Sequence, residues 1–332
     1  MASRTAQTEH APVRKRSIAL KGRRAREVTL GYALLAPAFI LLAVFEFFPL
    51  FYGALISTCD WRLRCVKSIG LGNYTRALHD PDMWHALLIT AIYSLISVPV
   101  QLVLGLFIAY LLFQKIRYRR TLRVMFFLPY ITSTVASAAV WSFLYSPDRG
   151  PINALLTRMG LPALRWLNEP QGVFTLIGSA LHIDVPAWAG GPSLALVSLL
   201  IYTTWVFVGY DITIFLAGLG NIPNDLYDAA RVDGAGGWAT FRHVTLPLLS
   251  PTTFFLLTFT IIGTFKAFNH IYVMTQGGPG DTTTTASIFI FNQLFQFNRY
   301  GYSAALSFIL FFVILVVTII QNRVVGRRVV YD

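Results

Sequence analysis

The chain has 332 residues, 55% of them hydrophobic and 13% charged, with a mean hydropathy of +0.59. That composition excludes an ordinary water-soluble domain of this length. The formal net charge of +12 does not point to nucleic acid, because the basic residues gather at the ends of apolar runs.

Six runs are apolar enough and long enough to cross ~30 Å of hydrocarbon; they fall at roughly 32–57, 86–113, 121–145, 193–217, 251–275 and 301–321. The expected architecture is an all-α membrane protein with six transmembrane helices. Residues 1–28 form a basic tail with Arg14, Lys15, Arg16, Lys21, Arg23, Arg24 and Arg26, suited to lie on anionic lipid. A signal peptide is the rival reading, but the run from Leu30 to Ile56 is too long for it and lacks a small-residue cleavage site. A second basic cluster, Lys115, Arg117, Arg119, Arg120 and Arg123, lies between the second and third runs. A third, Arg323, Arg327 and Arg328, leads into a tail at 326–332. With the spans between them, residues 29–325, the three clusters share one side. The positive-inside rule makes that side, and both termini, cytoplasmic.

Cys59 and Cys65, the chain's two cysteines, follow the first run on the oxidising side. A disulfide needs their Cα atoms within ~7 Å; two unpaired thiols near the lipid boundary are the preferred reading. No ligand pair accompanies them to make a zinc site. The third run contains Pro129, Tyr130, Thr132, Ser133 and Thr134, and a proline there frees backbone groups that neighbours or cavity water must satisfy. In the outer segment 146–192, the apolar piece Gly172–Ala180 is too short to cross and fits an interfacial or re-entrant position. Pro186, Gly190, Gly191 and Pro192 punctuate the rest of this 172–192 stretch as loop. Glu46, Asp211 and Lys266 are ionisable residues within the runs, which ordinarily face a cavity, a partner or an interface. By helical rise, Glu46 and Lys266 stand ~21–22 Å above the inner ends of their spans and share a depth. Asp211 stands ~10 Å from its inner end, near enough to snorkel to water.

A polar island separates the fourth and fifth runs. Pro223 and Asn224 mark a helix start, and Leu226, Ala229 and Ala230 share one face. Gly234 tolerates the positive φ that ends such a helix, and Trp238–His243 form a second short helix before Pro247 and Pro251. A helix of ~13 Å is too short to stand alone, so the hairpin is expected to dock into something.

Asp228-Ala229-Ala230, Asp233-Gly234-Ala235, Phe241, Leu246-Pro247 and Pro251 resemble the EAA loop of ABC-importer permease subunits. Trp205, Tyr210 and Ile222–Tyr227 extend the likeness to the carbohydrate, maltose-type branch, as do Gly70–Tyr74, Asp80-Pro81, Gly150–Leu156 and Trp166–Asn168. Two positions depart from the pattern: Asp228 replaces the commoner Glu, and Gln276 sits where Gly is common in Thr275–Pro279. The resemblance implies a type I ABC importer permease fold whose cytoplasmic loop, 218–250, carries the coupling helix. Asp228, Ala229, Ala230, Asp233, Gly234, Ala235, Phe241 and Pro247 would then couple to an ATPase subunit. Gly277, Gly278 and Pro279 would form an outer-mouth loop, followed by the run Thr282–Thr285. Tyr210, Thr260 and Thr264 would line the substrate pathway, joined from the same region by Lys266, Asn269 and His270.

The implied partners are a second homologous permease, two ATPase subunits, an extracytoplasmic solute-binding protein and membrane lipid. The implied location is a bacterial-type inner membrane. The sequence has no phosphate-binding loop, HExxH, GxSxG or His/Cys cluster, so no catalytic residue, metal or cofactor is assigned to this chain. ATP and Mg would be bound by the partner ATPases. The expected function is import of a sugar or oligosaccharide by alternating access. The alternatives are a glycerol-phosphate or glycerophosphodiester substrate, an ion-coupled secondary transporter using Glu46 or Asp211, and, last, a membrane-embedded enzyme.

Overall fold

The computed structural model describes residues 14–61, 64–114 and 116–328. Most of the N-terminal tail (1–13), Lys115 and the last residues of the C-terminal tail (329–332) lie outside the described residues, as do the side chains of Arg14–Arg24. The residues fall into two compact units that divide after Ile56.

The first unit is a helical rod. Helix α1 (Arg14–Leu42) continues through one π-helical turn, Ala43–Phe47, into α2 (Phe48–Ser57). Pro49 has no amide to offer the Phe45 carbonyl, and the helix widens at that turn, which contains Glu46. Its apolar stretch, Arg26–Ser57, is 32 residues long and ample to cross a bilayer.

The second unit starts with a two-stranded hairpin, β1 (Cys59–Trp61) and β2 (Cys65–Ser68), paired antiparallel with a bulge at Asp60/Trp61. Here the expectation of free thiols is corrected: Cys59 and Cys65 are bridged, with Cα atoms 5.5 Å apart. The bulged hairpin register brings Cys65 opposite Trp61, close enough for Cys59. The side-chain amide of Asn73, on α3 (Gly72–Leu78), donates to the Ser57 and Cys59 carbonyls at 2.9 and 3.1 Å and holds the hairpin in place.

Helix α4 (Pro81–Phe113) begins with Pro81 at its first position and Asp80 capping the Asp82 amide. Asp80 also accepts from Tyr302 Oη at 2.5 Å, which pins α16 (Tyr300–Val324) to the start of α4. At the centre of the unit stands α9 (Leu194–Gly220), capped by Ser193 and packed against α4, α5 (Arg119–Ile131) and α13 (Ser250–Phe265). Two glycines make this packing close. A Cβ at Gly105 would stand 2.8 Å from Asp211 Cβ, and one at Gly209 would collide with the Phe126 carbonyl oxygen. Small residues at such contacts are how helices associate in lipid, where burial of apolar surface gives no driving force.

Four helices are long and apolar enough to cross a membrane, and two bent pairs bring the total to six if each pair is one span. In the first pair α5 meets α6 (Thr134–Leu144) at 97°. Thr132 Oγ1 donates to the Pro129 carbonyl at 2.6 Å and Ser133 caps α6, so the groups freed by the break have partners. The second bend, 63°, joins the run Gly237–Leu248 to α13 at Leu249. The run expected to continue to residue 275 is interrupted again: α13 ends at Phe265, and a separate helix, α14 (Asn269–Met274), follows after three residues. A ten-residue helix, α15 (Ala286–Phe295), lies between the last two expected spans.

The outer segment is built around Asn153 on α7 (Pro151–Arg158). Its Nδ2 donates to the Pro147 and Leu164 carbonyls while its Oδ1 accepts from Leu164 N and Trp166 Nε1, all between 2.8 and 3.2 Å. Further on, α8 (Val173–Ala180) is clipped by Val173 N and Phe174 N donating to the Pro192 and Gly190 carbonyls, each at 3.0 Å. Phe174, Ile177, Leu181, Ile183 and Trp188 around it are exposed, as an interfacial piece requires.

Because both cysteines are consumed in the bridge, native protein should resist maleimide labelling at Cys59 and Cys65 until it is reduced. Rapid labelling before reduction would contradict the bridge. Closing so short a loop contributes about 2 kcal/mol in the chain-entropy view, so Cys59→Ser with Cys65→Ser should lower the unfolding midpoint without preventing assembly.

Candidate functional site: an intramembrane cavity and a helical hairpin

A cavity of about 280 Å³ lies among α4, α5, α9, α13 and α14, at the lower edge of the size of small-molecule sites. Tyr210, Thr260, Thr264, Lys266 and Asn269, proposed from the sequence, all line it, and so does His270. They meet because α13 stops early. The break after Phe265 puts Lys266 and Asn269 at the wall, both exposed, instead of continuing the helix past it.

The cavity is aromatic on one side. Tyr210 stacks on Tyr130 with ring centroids 5.0 Å apart and touches Phe259 at 5.1 Å, and Tyr130 meets Phe207 edge-on. Thr264 Oγ1 is held by Ser94 Oγ at 2.7 Å and donates to the Ile261 carbonyl, so this threonine packs helices as well as facing the space. The wall also holds a polar cluster: Tyr93 Oη lies 2.7 Å from Thr203 Oγ1 and 2.9 Å from His270 Nε2, all three residues buried and lining the cavity. Of the three, only His270 carries a sequence signal, a histidine inside an apolar run. Tyr93 and Thr203 look like ordinary packing residues because partners 110 and 177 positions away leave no local pattern.

Asp211 differs from expectation. It does not snorkel; it is 2% exposed, turned into the unit at the cavity wall, and its Oδ2 has no hydrogen-bond partner. α4 packs against it at Gly105.

The hairpin is a second functional candidate. Helix α10 (Asn224–Val232) has no buried residue. It ends in a Schellman motif: Ala235 N donates to the Ala230 carbonyl at 2.9 Å and Gly234 N to the Arg231 carbonyl at 3.1 Å. Gly234 takes φ +74 with open space where a Cβ would lie, so the constraint there is conformational, not steric crowding. Asp225 occupies the first turn; Asp228 is the fifth residue of α10 and pairs with Arg231 on the same exposed face. Asp225 therefore sits at the positive end of the helix dipole, and Asp228, a turn further on, does not. Ala229 and Ala230 lie beside it, and Asp233 caps the C-terminus. Leu226, Val232 and Trp238 leave an apolar surface in water, Val232 at 88% exposure.

The other side of the hairpin is anchored. The chain leaves α10 through α11 (Gly237–Thr240), a π-helical turn (Phe241–Thr245) and α12 (Leu246–Leu248), which contains Pro247. Phe241 meets Tyr110 of α4 edge-on at 5.0 Å and stacks on Trp238, while Tyr227 Oη reaches Thr245 Oγ1 at 3.3 Å.

At the other end of α14, Gly277, with φ +95, Gly278 and cis Pro279 form a tight loop. A Cβ at Gly277 would press Thr284 Oγ1 at 2.5 Å. Thr284 and Thr283 staple the loop by donating to the Gly277 and Gly278 carbonyls at 3.0 and 2.7 Å. The threonine run is thus a structural clamp, and Gln276 tolerates the left-handed φ of +52 that a glycine would adopt freely.

A bundle of whole and broken spans around a cavity, with an exposed hairpin between two of them, is the architecture of a membrane permease. Residues 101–330 match the family described as the binding-protein-dependent transport system inner membrane component, and the chain belongs to that family. It is 32% identical over 302 residues to the lactose transport system permease protein LacF of Rhizobium radiobacter, covering 90% of this chain and 94% of the relative. It is 30% identical over 305 residues to the sn-glycerol-3-phosphate transport system permease protein UgpA of Agrobacterium fabrum, covering 91% and 96%. In fold it is similar to a chain of a bacterial alginate ABC transporter solved with an alginate pentasaccharide-bound periplasmic protein (TM-score 0.76, 22% identity, 92% of this chain and 96% of that one). The protein is therefore a multi-pass transport component of a binding-protein-dependent system rather than an enzyme.

Replacing Tyr93 by Phe removes the hydroxyl shared by Thr203 and His270. The expected cost is ~1–2 kcal/mol, read as a lower unfolding midpoint in detergent. An unchanged midpoint would mean that the cluster does not hold α4, α9 and α14 together.

Proposed function

We propose that this chain is one of two homologous permease subunits of an ABC importer that brings a sugar or oligosaccharide into the cytoplasm. A separate extracytoplasmic binding protein delivers the solute, and two ATPase subunits, which bind ATP and Mg, drive alternating access. The observation that carries the proposal is the exposed, Schellman-capped hairpin, closed on itself by Tyr227–Thr245 and rooted by Tyr110–Phe241 in α4, which also walls the cavity. A short amphipathic helix that leaves Leu226 and Val232 exposed and is anchored on one side only is built to be covered on the other. In this reading Asp228, Ala229, Ala230, Asp233, Gly234, Ala235, Phe241 and Pro247 transmit the ATPase movement. The Tyr130–Tyr210 face stacks on a sugar ring, the polar groups of Thr260, Thr264 and Asn269 meet its hydroxyls, and Gly277–Pro279 shape the outer mouth. Stacking faces beside a few convergent polar groups suit sugars.

The orientation has two supports. The basic clusters favour a hairpin and both termini on the cytoplasmic side, and the Cys59–Cys65 bridge suits an oxidising outer side. A relative named for lactose favours a neutral sugar, while one named for sn-glycerol 3-phosphate makes a phosphorylated polyol the second reading. An ion-coupled carrier would leave the hairpin without a use.

Three substitutions test the proposal in the reconstituted importer. Removing one member of a desolvated interface ion pair costs ~2–5 kcal/mol, against under ~1 kcal/mol for an exposed pair. Asp228→Ala, whose pair with Arg231 is exposed in this chain, should therefore loosen the ATPase subunits only if a partner covers it; Asp228→Glu should be nearly silent. Gly234→Val should impair coupled transport at least as much with no change of charge, because φ +74 is forbidden to a β-branched residue. Tyr210→Ala should reduce uptake more than ATP hydrolysis. Full coupled transport by both hairpin variants would remove the basis of the proposal.

A further inference from the structure

The cavity contains one group that nothing above puts to use. Asp211 is buried to 2% exposure, lines the cavity, and has no partner for Oδ2. Among the described residues no lysine, arginine or histidine is within ion-pair distance of it; Lys266 stands on the same wall without forming a pair. Gln101 lines the same cavity but spends its amide on Ser97 Oγ at 2.5 Å. A carboxylate oxygen held out of water without a donor is costly, and native structures rarely keep one unless something else arrives to fill it. α4 packs against it there, so closely that a Cβ at Gly105 would stand 2.8 Å from Asp211 Cβ.

We propose that Asp211 is a substrate-contacting residue that selects neutral polyhydroxy solutes: its carboxyl group, at the cavity wall, accepts a hydrogen bond from a solute hydroxyl while the Tyr130–Tyr210 pair offers its aromatic surface to the ring. A hydroxyl donor gives the carboxyl group a partner and adds no charge. Asp211 has no basic partner to offer a phosphate arriving at the same place, and any charge on its carboxyl group repels one in a low-dielectric wall. Asp211 thus sets the choice between the two substrate classes suggested by the relatives. This inference rests on the importer reading above.

The test uses the complete importer in proteoliposomes, with uptake measured for lactose, maltose and trehalose as neutral probes and sn-glycerol 3-phosphate as the anionic probe, each divided by ATP hydrolysed. The wild type should favour a neutral sugar. Asp211→Asn, which keeps the shape and replaces an acceptor by a donor, should lower neutral sugar moved per ATP by about tenfold, the factor that one hydrogen bond supplies. It should also narrow the preference over the phosphate. Gly105→Ala, which pushes on Asp211 Cβ from α4, should produce a partial loss in the same direction and carries the test if Asp211→Asn fails to assemble. A wild type that moves sugar, with both variants matching its sugar per ATP and its preference, overturns the role of Asp211 alone. A wild type that carries only sn-glycerol 3-phosphate, or none of the probes, overturns the sugar-importer reading and this inference together. Uptake by the wild type that follows a sodium or proton gradient without ATP would instead assign Asp211 to an ion and overturn both.

Discussion

The approach of α4 and α5 to α9 at Gly105 and Gly209 is the constraint on which the second unit depends. In lipid there is no gain from burying apolar side chains between helices, so contact has to come from backbones that fit closely. Gly209 lets the α5 backbone lie against α9 at the Phe126 carbonyl, and Gly105 lets α4 reach the Asp211 Cβ. These contacts set where the walls of the cavity stand. They bring Tyr130 from α5 over Tyr210 from α9 and place Gln101 from α4 and Asp211 on the same cavity.

The cavity exists because two spans stop short. Hydrocarbon does not tolerate unsatisfied backbone, so irregular segments belong where they line a space or rest on protein. Both breaks conform. The α5–α6 bend is closed by Thr132 and Ser133, with Tyr130 and Thr134 on either side of it lining the cavity. The α13–α14 break exposes Lys266 and Asn269 there, and His270 just beyond it is tied back to Tyr93 and Thr203. The wall is therefore made of helix ends on one side and held by buried hydrogen bonds on the other.

What the sequence conveyed followed from how local each signal is. The Schellman cap at Gly234 could be read directly, because the turn needs a glycine and the hydrogen bonds span six residues. The gathering of Tyr210, Thr260 and Thr264 followed from resemblance and helical spacing. Breaks inside apolar runs were not legible: Phe265 to Phe268 is as hydrophobic as its surroundings apart from Lys266, and hydropathy reads it as continuous span. Asp211 was misjudged because distance from a helix end says nothing about which neighbours pack against the side chain. The disulfide was missed because its geometry depends on a bulge that two short strands make only together. Asn153 was noticed through resemblance, but its reason, four hydrogen bonds converging on one side chain, appears only in three dimensions.

The hairpin has a mechanical property that follows from where its feet stand. One foot continues from α9 through Ile222, the other enters α13 through Leu249, and these two helices meet across the cavity at Tyr210 and Phe259. Pushing both feet equally carries the helices along together and leaves the gap between them unchanged. Tilting the hairpin moves one foot against the other and shears the aromatic contact. In the importer proposed above, a partner acting on this hairpin would therefore change the cavity by rotating it and not by pushing both feet equally.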